Sequence, residues 1–127
     1  MEKRIITSPN APAPIGPYSQ AVLVNNSTLY CSGQIAINPK TGELVQETLE
    51  AETRQVMENI KAVLAEADMD LGHVIKTSIF LSDMSLFAEV NGIYAQYFTS
   101  DFPARETVAV KELPKSVNVE ISVVAVK

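Results

Sequence analysis

The stretch from residue 48 to residue 67 has the periodicity of one long helix, and it constrains the fold more than any other feature. Its apolar residues recur at spacings of three, four and seven, and they are Leu49, Val56, Ile60, Val63, Leu64 and Ala67. The charged positions between them indicate a solvated face, formed by Glu50, Glu52, Arg54, Glu58, Lys61 and Glu66. A helix of about 30 Å with one apolar side must pack that side against a second layer.

A sheet is the predicted second layer, because runs rich in β-branched and aromatic residues occur on both sides of this helix. The predicted strands are residues 4–7, 21–24, 28–32, 74–81, 105–110 and 117–126. Asn25-Asn26-Ser27 predicts a hairpin turn, and residues 38–42 predict another turn. A shorter helix is predicted between an N-cap at Asp83 and a stop at Phe102-Pro103. Its apolar stripe is Phe87, Val90, Tyr94, Tyr97 and Phe98. The 127 residues therefore predict a single two-layer α+β domain, residues 1–127.

Two features of the predicted sheet bear on function. Alternation along strand 74–81 assigns Ile75, Thr77, Ile79 and Leu81 to one face. The last two strands are separated by a short connection that contains Leu113-Pro114-Lys115, and we expect them to form a hairpin.

Composition excludes several classes of function. The net charge is −5 and no segment is strongly basic, which disfavours a nucleic-acid partner. One cysteine and one histidine leave no ligand set for a metal and no disulfide framework. Cys31 is expected to be a small buried apolar residue, and His73 to be surface structure. No apolar run is long enough to span a bilayer and the N-terminal residues do not resemble a signal peptide, so we expect a cytoplasmic protein without membrane contact.

Arg105 and Glu120 are the strongest candidates for chemistry. An arginine where a strand begins can hold a carboxylate or phosphate with its planar fork, although a surface salt bridge with Glu106 explains it equally simply. Glu120 interrupts the apolar C-terminal strand, so its carboxyl must be paired, hydrated or protonated. The alternative is a charge that protects an edge strand. In the expected hairpin, the two residues would lie close enough to form a small-molecule site.

Tyr18 and Gly33 are weaker candidates. Tyr18 follows a proline-rich loop and its phenol can donate to a ligand, or its hydroxyl can simply contact solvent. Gly33 ends a strand, where the lack of a side chain admits a ligand to the backbone; a bulge or turn explains it equally well.

Five segments in this order resemble the Rid (YjgF) family of enamine and imine deaminases, over essentially the whole chain. They are Ala13-Pro14-Ile15-Gly16-Pro17-Tyr18-Ser19-Gln20-Ala21, Ser32-Gly33-Gln34-Ile35, Asn38-Pro39-Lys40-Thr41-Gly42, Phe102-Pro103-Ala104-Arg105, and Leu113-Pro114 with Val119-Glu120-Ile121. The RidA subgroup, which keeps both the arginine and the glutamate, is the most similar. The resemblance implies a chorismate-mutase-like α+β fold with a mixed sheet. It also implies a homotrimer with its sites between subunits, and no metal or organic cofactor.

The resemblance also implies an activity and residue roles. The reaction is hydrolysis of 2-iminobutanoate and 2-iminopropanoate to 2-oxo acids and ammonia. Arg105 corresponds to the residue that grips the substrate carboxylate, and Glu120 to the one that positions the attacking water. Tyr18 and the backbone of Gly33 would line the cleft. Thr107 stands where many bacterial members have cysteine, and its backbone carbonyl would contact the water. The alternative is a non-catalytic sensor of 2-oxo acids, which needs Arg105 but not Glu120.

Overall fold

A computed structural model describes residues 1–127 and has a six-stranded mixed sheet with two helices on one face. The strands are β1 (Lys3–Ile6), β2 (Ala21–Val24), β3 (Thr28–Cys31), β4 (Val74–Leu81), β5 (Ala104–Ala109) and β6 (Val119–Val126), and the helices are α1 (Leu49–Glu66) and α2 (Phe87–Ala95). The strand order is β1-β2-β3-β6-β4-β5, with β4 and β5 parallel and all other neighbours antiparallel. The predicted two-layer α+β architecture is confirmed.

Local sequence signals determine most element boundaries. The hydroxyl of Thr48 accepts a hydrogen bond from the N–H of Ala51 at 3.0 Å, so it caps α1 at the predicted position. Asn25 and Asn26 both have positive φ, at 51° and 52°, which is the geometry of the predicted β2–β3 turn. The second helix ends earlier than predicted, at Ala95, and Asp101 in the following turn has a φ of 52°.

Two predictions about side-chain placement are wrong. Glu52, assigned to the solvated face of α1, is only 1% exposed. Ile75 is 52% exposed, because a β-bulge between Val74 and Lys76 leaves it out of the ladder with β6. One extra residue reverses the side-chain alternation at that point, so Val74 is buried in its place.

The predicted hairpin between the last two strands is also wrong. β5 pairs only with β4, in parallel, and β6 lies between β3 and β4. The strand that carries Arg105 is therefore separated by β4 from the strand that carries Glu120. β6 is a central strand, which rules out the interpretation of Glu120 as protection of a sheet edge.

The main core lies between the helices and one face of the sheet, with Leu23, Leu29, Ile60, Leu64 and Ile121 among its fully buried side chains. The face without helices carries apolar side chains that are about half exposed, including Ile5, Tyr30 and Val108. The model contains no helix with the length and apolar character needed to cross a bilayer.

Candidate functional site

Glu120 and Gly33 are held against each other by backbone pairing. The N–H of Gln34 donates to the carbonyl of Ile121 at 2.8 Å, and the N–H of Ile121 donates back to Gln34 at 3.1 Å. This bridge brings Gly33 beside the central strand β6. A β-carbon at residue 33 would lie 2.5 Å from Oε2 of Glu120, closer than real contacts allow. The missing side chain of Gly33 therefore makes the space that the Glu120 carboxyl occupies.

The Glu120 carboxyl lies in a cavity of about 380 Å³ and has no cationic partner. Tyr18, Gly33, Ile35, Ile37 and Pro114 are among the other residues that line this cavity, which we call the Glu120 cavity. Partial burial raises the pKa of Glu120 above its ordinary value, because an ionised carboxylate loses hydration there. A half-buried carboxyl with no ion pair is available to hold a water molecule and take a proton.

One wall of the Glu120 cavity is the proline-rich loop, and Gln20 holds that loop in place. The side-chain amide of Gln20 donates to the carbonyls of Ser8 at 3.2 Å and Pro12 at 2.9 Å. Tyr18 lines the cavity and is 46% exposed, and its phenol oxygen accepts a hydrogen bond from the N–H of Ile15 at 3.3 Å. The phenol O–H therefore stays free to donate to a ligand. Gln20 belongs to a segment that resembles the Rid family, but no role was predicted for it, because a single glutamine between a loop and a strand has no distinctive pattern.

Arg105 lies against α2, away from the Glu120 cavity. Its guanidinium carbon lies 5.2 Å from the ring centre of Tyr94 and 5.7 Å from that of Phe87, and Nη1 donates to Oδ1 of Asn91 at 2.8 Å. A cavity of about 320 Å³, lined by Arg105, Tyr94 and Phe102 among others, adjoins the guanidinium. No carboxylate neutralises this cation. Its aromatic and amide contacts orient it and leave donors for an anion.

The alternative interpretation of Arg105, a surface salt bridge with Glu106, is wrong. The Glu106 carboxylate pairs with Lys76 at 2.9 Å and accepts from the hydroxyl of Ser78. These contacts lower the pKa of Glu106, the Ser78 hydrogen bond being the largest cause. Because successive side chains alternate along β5, Glu106 lies on the opposite face of the strand from Arg105.

Thr107 presents its backbone at the free edge of the sheet. The N–H of Val110 donates to Leu81 in β4, and backbone groups point in alternate directions along a strand, so those of Thr107 point away from β4. The carbonyl of Thr107 is therefore open to a ligand or another chain. The hydroxyl of Thr107 is buried and has no hydrogen-bond partner within the chain.

The structure does not bring Arg105 and Glu120 together within one chain. Arg105 is opposite Thr77 in the β4–β5 ladder, and Thr77 is fully buried beneath the helices. Glu120 is opposite Phe80, whose side chain is on the other face of β4. A single chain therefore carries an arginine cavity on one side of the sheet and a carboxylate cavity on the other.

The remaining single residues fit their simpler interpretations. Cys31 is a free, buried thiol, and burial raises its pKa to about 12, which disfavours the reactive thiolate form. His73 is a partly exposed residue whose Nδ1 accepts from the N–H of Asp70 at 3.0 Å, in a local capping arrangement. No group of three or more His, Cys, Asp and Glu side chains is arranged to hold a metal ion.

The fold and the site together define a class of protein: a two-layer α+β domain in which a glutamate on the central strand packs against a glycine. Proteins with similar sequences and structures identify this class. The family model described as Endoribonuclease L-PSP matches residues 8–127. The chain is 50% identical over 98% of its length to a RutC family protein of Pyrococcus horikoshii, covering 98% of that protein. It is 45% identical to human 2-iminobutanoate/2-iminopropanoate deaminase, over 98% of this chain and 90% of the human one.

The solved structure of the YjgF gene product from E. coli superposes with a TM-score of 0.91, at 42% identity and with 98% of each chain covered. The chain belongs to the Rid (YjgF) family and has its chorismate-mutase-like fold.

Proposed function

We propose that the protein is a hydrolase that converts small 2-imino acids, such as 2-iminobutanoate and 2-iminopropanoate, to 2-oxo acids and ammonia. The observation that carries the proposal is the unpaired, half-buried Glu120 carboxyl against the backbone of Gly33. A carboxyl with a raised pKa and no ion pair suits proton transfer to and from water. The human relative at 45% identity is named 2-iminobutanoate/2-iminopropanoate deaminase, which is consistent with this reaction.

The complete site is proposed to lie between subunits of a homotrimer. Arg105 and Glu120 face opposite sides of the sheet, so neither residue can complete the other's site within one chain. In a ring of three, each head-to-tail contact can combine the arginine cavity of one subunit with the Glu120 cavity of the next. Such contacts would bury two exposed features of the chain. These are the half-exposed apolar side chains on the helix-free face and the unpaired edge of β5.

The reaction follows from the groups that this arrangement would bring together. The fork of Arg105 binds the substrate carboxylate and so orients the neighbouring C=N carbon. Glu120 and the carbonyl of Thr107 hold a water molecule above that carbon. The substrate reacts as its protonated iminium: the water oxygen adds to carbon while the Glu120 carboxylate takes one water proton, which gives a neutral carbinolamine. Protonated Glu120 then gives that proton to the nitrogen. As the C–N bond breaks and ammonia departs, the hydroxyl proton passes to the Glu120 carboxylate and the C=O bond of the 2-oxo acid forms; the ammonia takes up this last proton and leaves as ammonium. Neither a metal nor an organic cofactor is needed for these steps.

A sensor of 2-oxo acids is the competing function, because Arg105 alone can bind a carboxylate. Glu120 favours the enzyme. A site that only binds the carboxylate of a 2-oxo acid gains nothing from a protein carboxyl that has no ion-pair partner. The family description also names endoribonucleases. The net charge of −5 does not favour attraction of RNA phosphates. The cytoplasmic location expected from the sequence stays a prediction.

A coupled assay tests the proposal. Threonine dehydratase generates 2-iminobutanoate in the presence of semicarbazide, which traps the imine, and the protein is expected to suppress the trapped product. Glu120→Gln is expected to lower the hydrolysis rate about 10²–10⁴-fold and to keep 2-oxobutanoate binding in calorimetry. Arg105→Ala is expected to lose both, and Arg105→Lys to restore little because an ammonium lacks the fork. Binding of 2-oxobutanoate without acceleration of hydrolysis by the parent protein would establish the sensor instead.

A further inference from the structure

A buried glutamate on α1 reaches the strand that carries Glu120. Oε2 of Glu52 accepts from the backbone N–H groups of Asn118 at 2.8 Å and Val119 at 3.2 Å, and Oε1 accepts from Nδ2 of Asn118 at 2.9 Å. These are the two residues immediately before Glu120. Glu52 therefore holds the start of β6 through three hydrogen bonds, and it does so from a different layer of the domain.

The segment that Glu52 holds would otherwise be poorly constrained. It follows the turn Pro114–Ser116, in which Lys115 and Ser116 both have positive φ, at 56° and 54°. Non-glycine residues occupy that region only when the surrounding structure holds them there. Pro114 lines the Glu120 cavity, so a shift of this turn changes the shape of the cavity as well as the position of the strand.

The same helix also holds a second segment that lines the Glu120 cavity. Asn59, two helical turns after Glu52, donates from Nδ2 to the carbonyls of Ile35 at 3.1 Å and Ile37 at 3.0 Å. Both isoleucines line the cavity and follow Gly33 in the chain. α1 thus fixes the segment after Gly33 and the segment before Glu120 relative to each other.

We propose that Glu52 is a positioning residue that sets the distance between the Glu120 carboxyl and the backbone of Gly33. The expected effect of Glu52 on the reaction rate rests on the proposed function. Its effect on the placement of the Glu120 carboxyl rests only on the hydrogen bonds that Glu52 makes to Asn118 and Val119. The position requires an acceptor for the two backbone N–H groups and a polar partner for the Asn118 amide, and it does not require a negative charge. A glutamine can accept the two backbone N–H groups with its oxygen and donate to Oδ1 of a flipped Asn118 amide.

Four variants separate positioning from stability. Glu52→Leu removes both acceptors, and Glu52→Gln keeps one and can restore the third bond. Asn118→Ala keeps both backbone bonds to Glu52 and removes the bond to Oε1, together with the bond that Oδ1 of Asn118 accepts from the Ser82 hydroxyl at 3.2 Å. Glu66→Leu is the matched control, because Glu66 is exposed on the same helix and its side chain makes no hydrogen bond or salt bridge. Each protein is studied well below its melting temperature, so that unfolded chains do not contribute.

Two measurements are made on each variant: kinetics in the trapping assay, and the titration of the Glu120 carboxyl carbon by NMR. Glu52→Leu is expected to lower kcat about tenfold to a hundredfold with little change in KM, because Arg105 is held separately by α2. Its Glu120 titration midpoint should move down toward the ordinary value as the displaced carboxyl gains water. Asn118→Ala should show the same changes to a smaller degree, and Glu52→Gln and Glu66→Leu should match the parent.

The NMR titration of Glu120 tests the positioning role even if the parent protein does not hydrolyse imines. An inactive parent would contradict the proposed reaction but not the positioning role of Glu52. A Glu52→Leu protein that melts earlier but keeps the parent kcat and the parent Glu120 midpoint would overturn the positioning role. If Glu52→Leu does not fold, unchanged kcat and midpoint in Asn118→Ala overturn it in the same way.

Discussion

Oε2 of Glu120 lies only 2.5 Å from the position that a β-carbon on Gly33 would occupy, which is too close for both atoms to be accommodated. The first prediction follows from this contact. In Gly33→Ala the new methyl group should displace the carboxyl, which is the flexible end of a side chain, so the protein should still fold. The proposed hydrolysis should fall about a hundredfold, because the reacting water is no longer held in place.

Gly92→Ala is the matched control for that variant. A β-carbon at Gly92 meets nothing within 4 Å, and alanine is the better helix former by about 1 kcal/mol. It should raise the melting temperature and keep the parent rate in the trapping assay. A Gly33→Ala protein with parent activity would show that the position of the Glu120 carboxyl does not matter for catalysis.

The second prediction concerns the pH dependence of stability. The folded protein raises the pKa of Glu120 above its ordinary value of 4.5, so folded chains bind more protons than unfolded ones above pH 4.5. The Glu120 contribution to stability is fully present below pH 4.5 and is lost as pH rises through the folded pKa. Glu120→Gln, which cannot ionise, should therefore melt higher than the parent at pH 7 and equally at low pH.

Urea unfolding of parent and variant between pH 4 and pH 8 measures this difference. The rate should follow the same ionisation, so kcat of the parent should rise with pH through a midpoint above 4.5. Equal pH dependence of stability in the two proteins would mean that the Glu120 carboxyl is not desolvated by folding.

The parts of the fold that were predicted correctly depend on neighbouring residues. The bounds of α1 follow from its apolar spacing and the Thr48 cap, and the β2–β3 hairpin follows from Asn25 and Asn26. Such signals act over a few residues, so one sequence is enough to find them. The family and its fold were also identified from motifs that keep their order along the chain.

The wrong predictions depend on contacts between distant residues. Nothing in the sequence around Arg105 indicates that its strand pairs with β4 in parallel, because that pairing depends on α2 as the crossover. Glu52 looks like a surface residue because its partners, Asn118 and Val119, are 66 and 67 positions away. Ile75 was assigned to the wrong face because a single bulged residue reverses the alternation. The roles assigned to Arg105, Glu120, Tyr18, Gly33 and Thr107 stay predictions.

The third prediction uses the unpaired hydroxyl of Thr107. A buried hydroxyl with no partner destabilises the folded state, so the isosteric Thr107→Val should raise the free energy of unfolding by about 1 kcal/mol. The rate should not change, because valine keeps the backbone carbonyl that is proposed to contact the water. Urea unfolding and the trapping assay measure the two quantities.

Thr77→Val is the control for this substitution on the neighbouring strand. The hydroxyl of Thr77 accepts a hydrogen bond from the phenol of Tyr94 at 3.0 Å, so the same change there should destabilise the fold by about 1–3 kcal/mol. If Thr107→Val is instead destabilised like Thr77→Val, then the Thr107 hydroxyl has a hydrogen-bond partner from another copy of the chain, and the expected gain in stability is contradicted.

The last prediction tests whether Arg105 and Glu120 act from different subunits. Arg105→Ala and Glu120→Gln should each be inactive alone, because every site lacks one of the two groups. The two variants are unfolded together in equal amounts, refolded, and assayed by imine trapping. A site is complete only where a subunit with intact Arg105 meets a neighbour with intact Glu120. Half of the subunits carry each intact group, so about one quarter of the contacts in randomly mixed rings are complete. Activity near one quarter of the parent supports the composite site. A mixture as inactive as its components would show that both groups act within one chain, and would contradict the proposed trimer site.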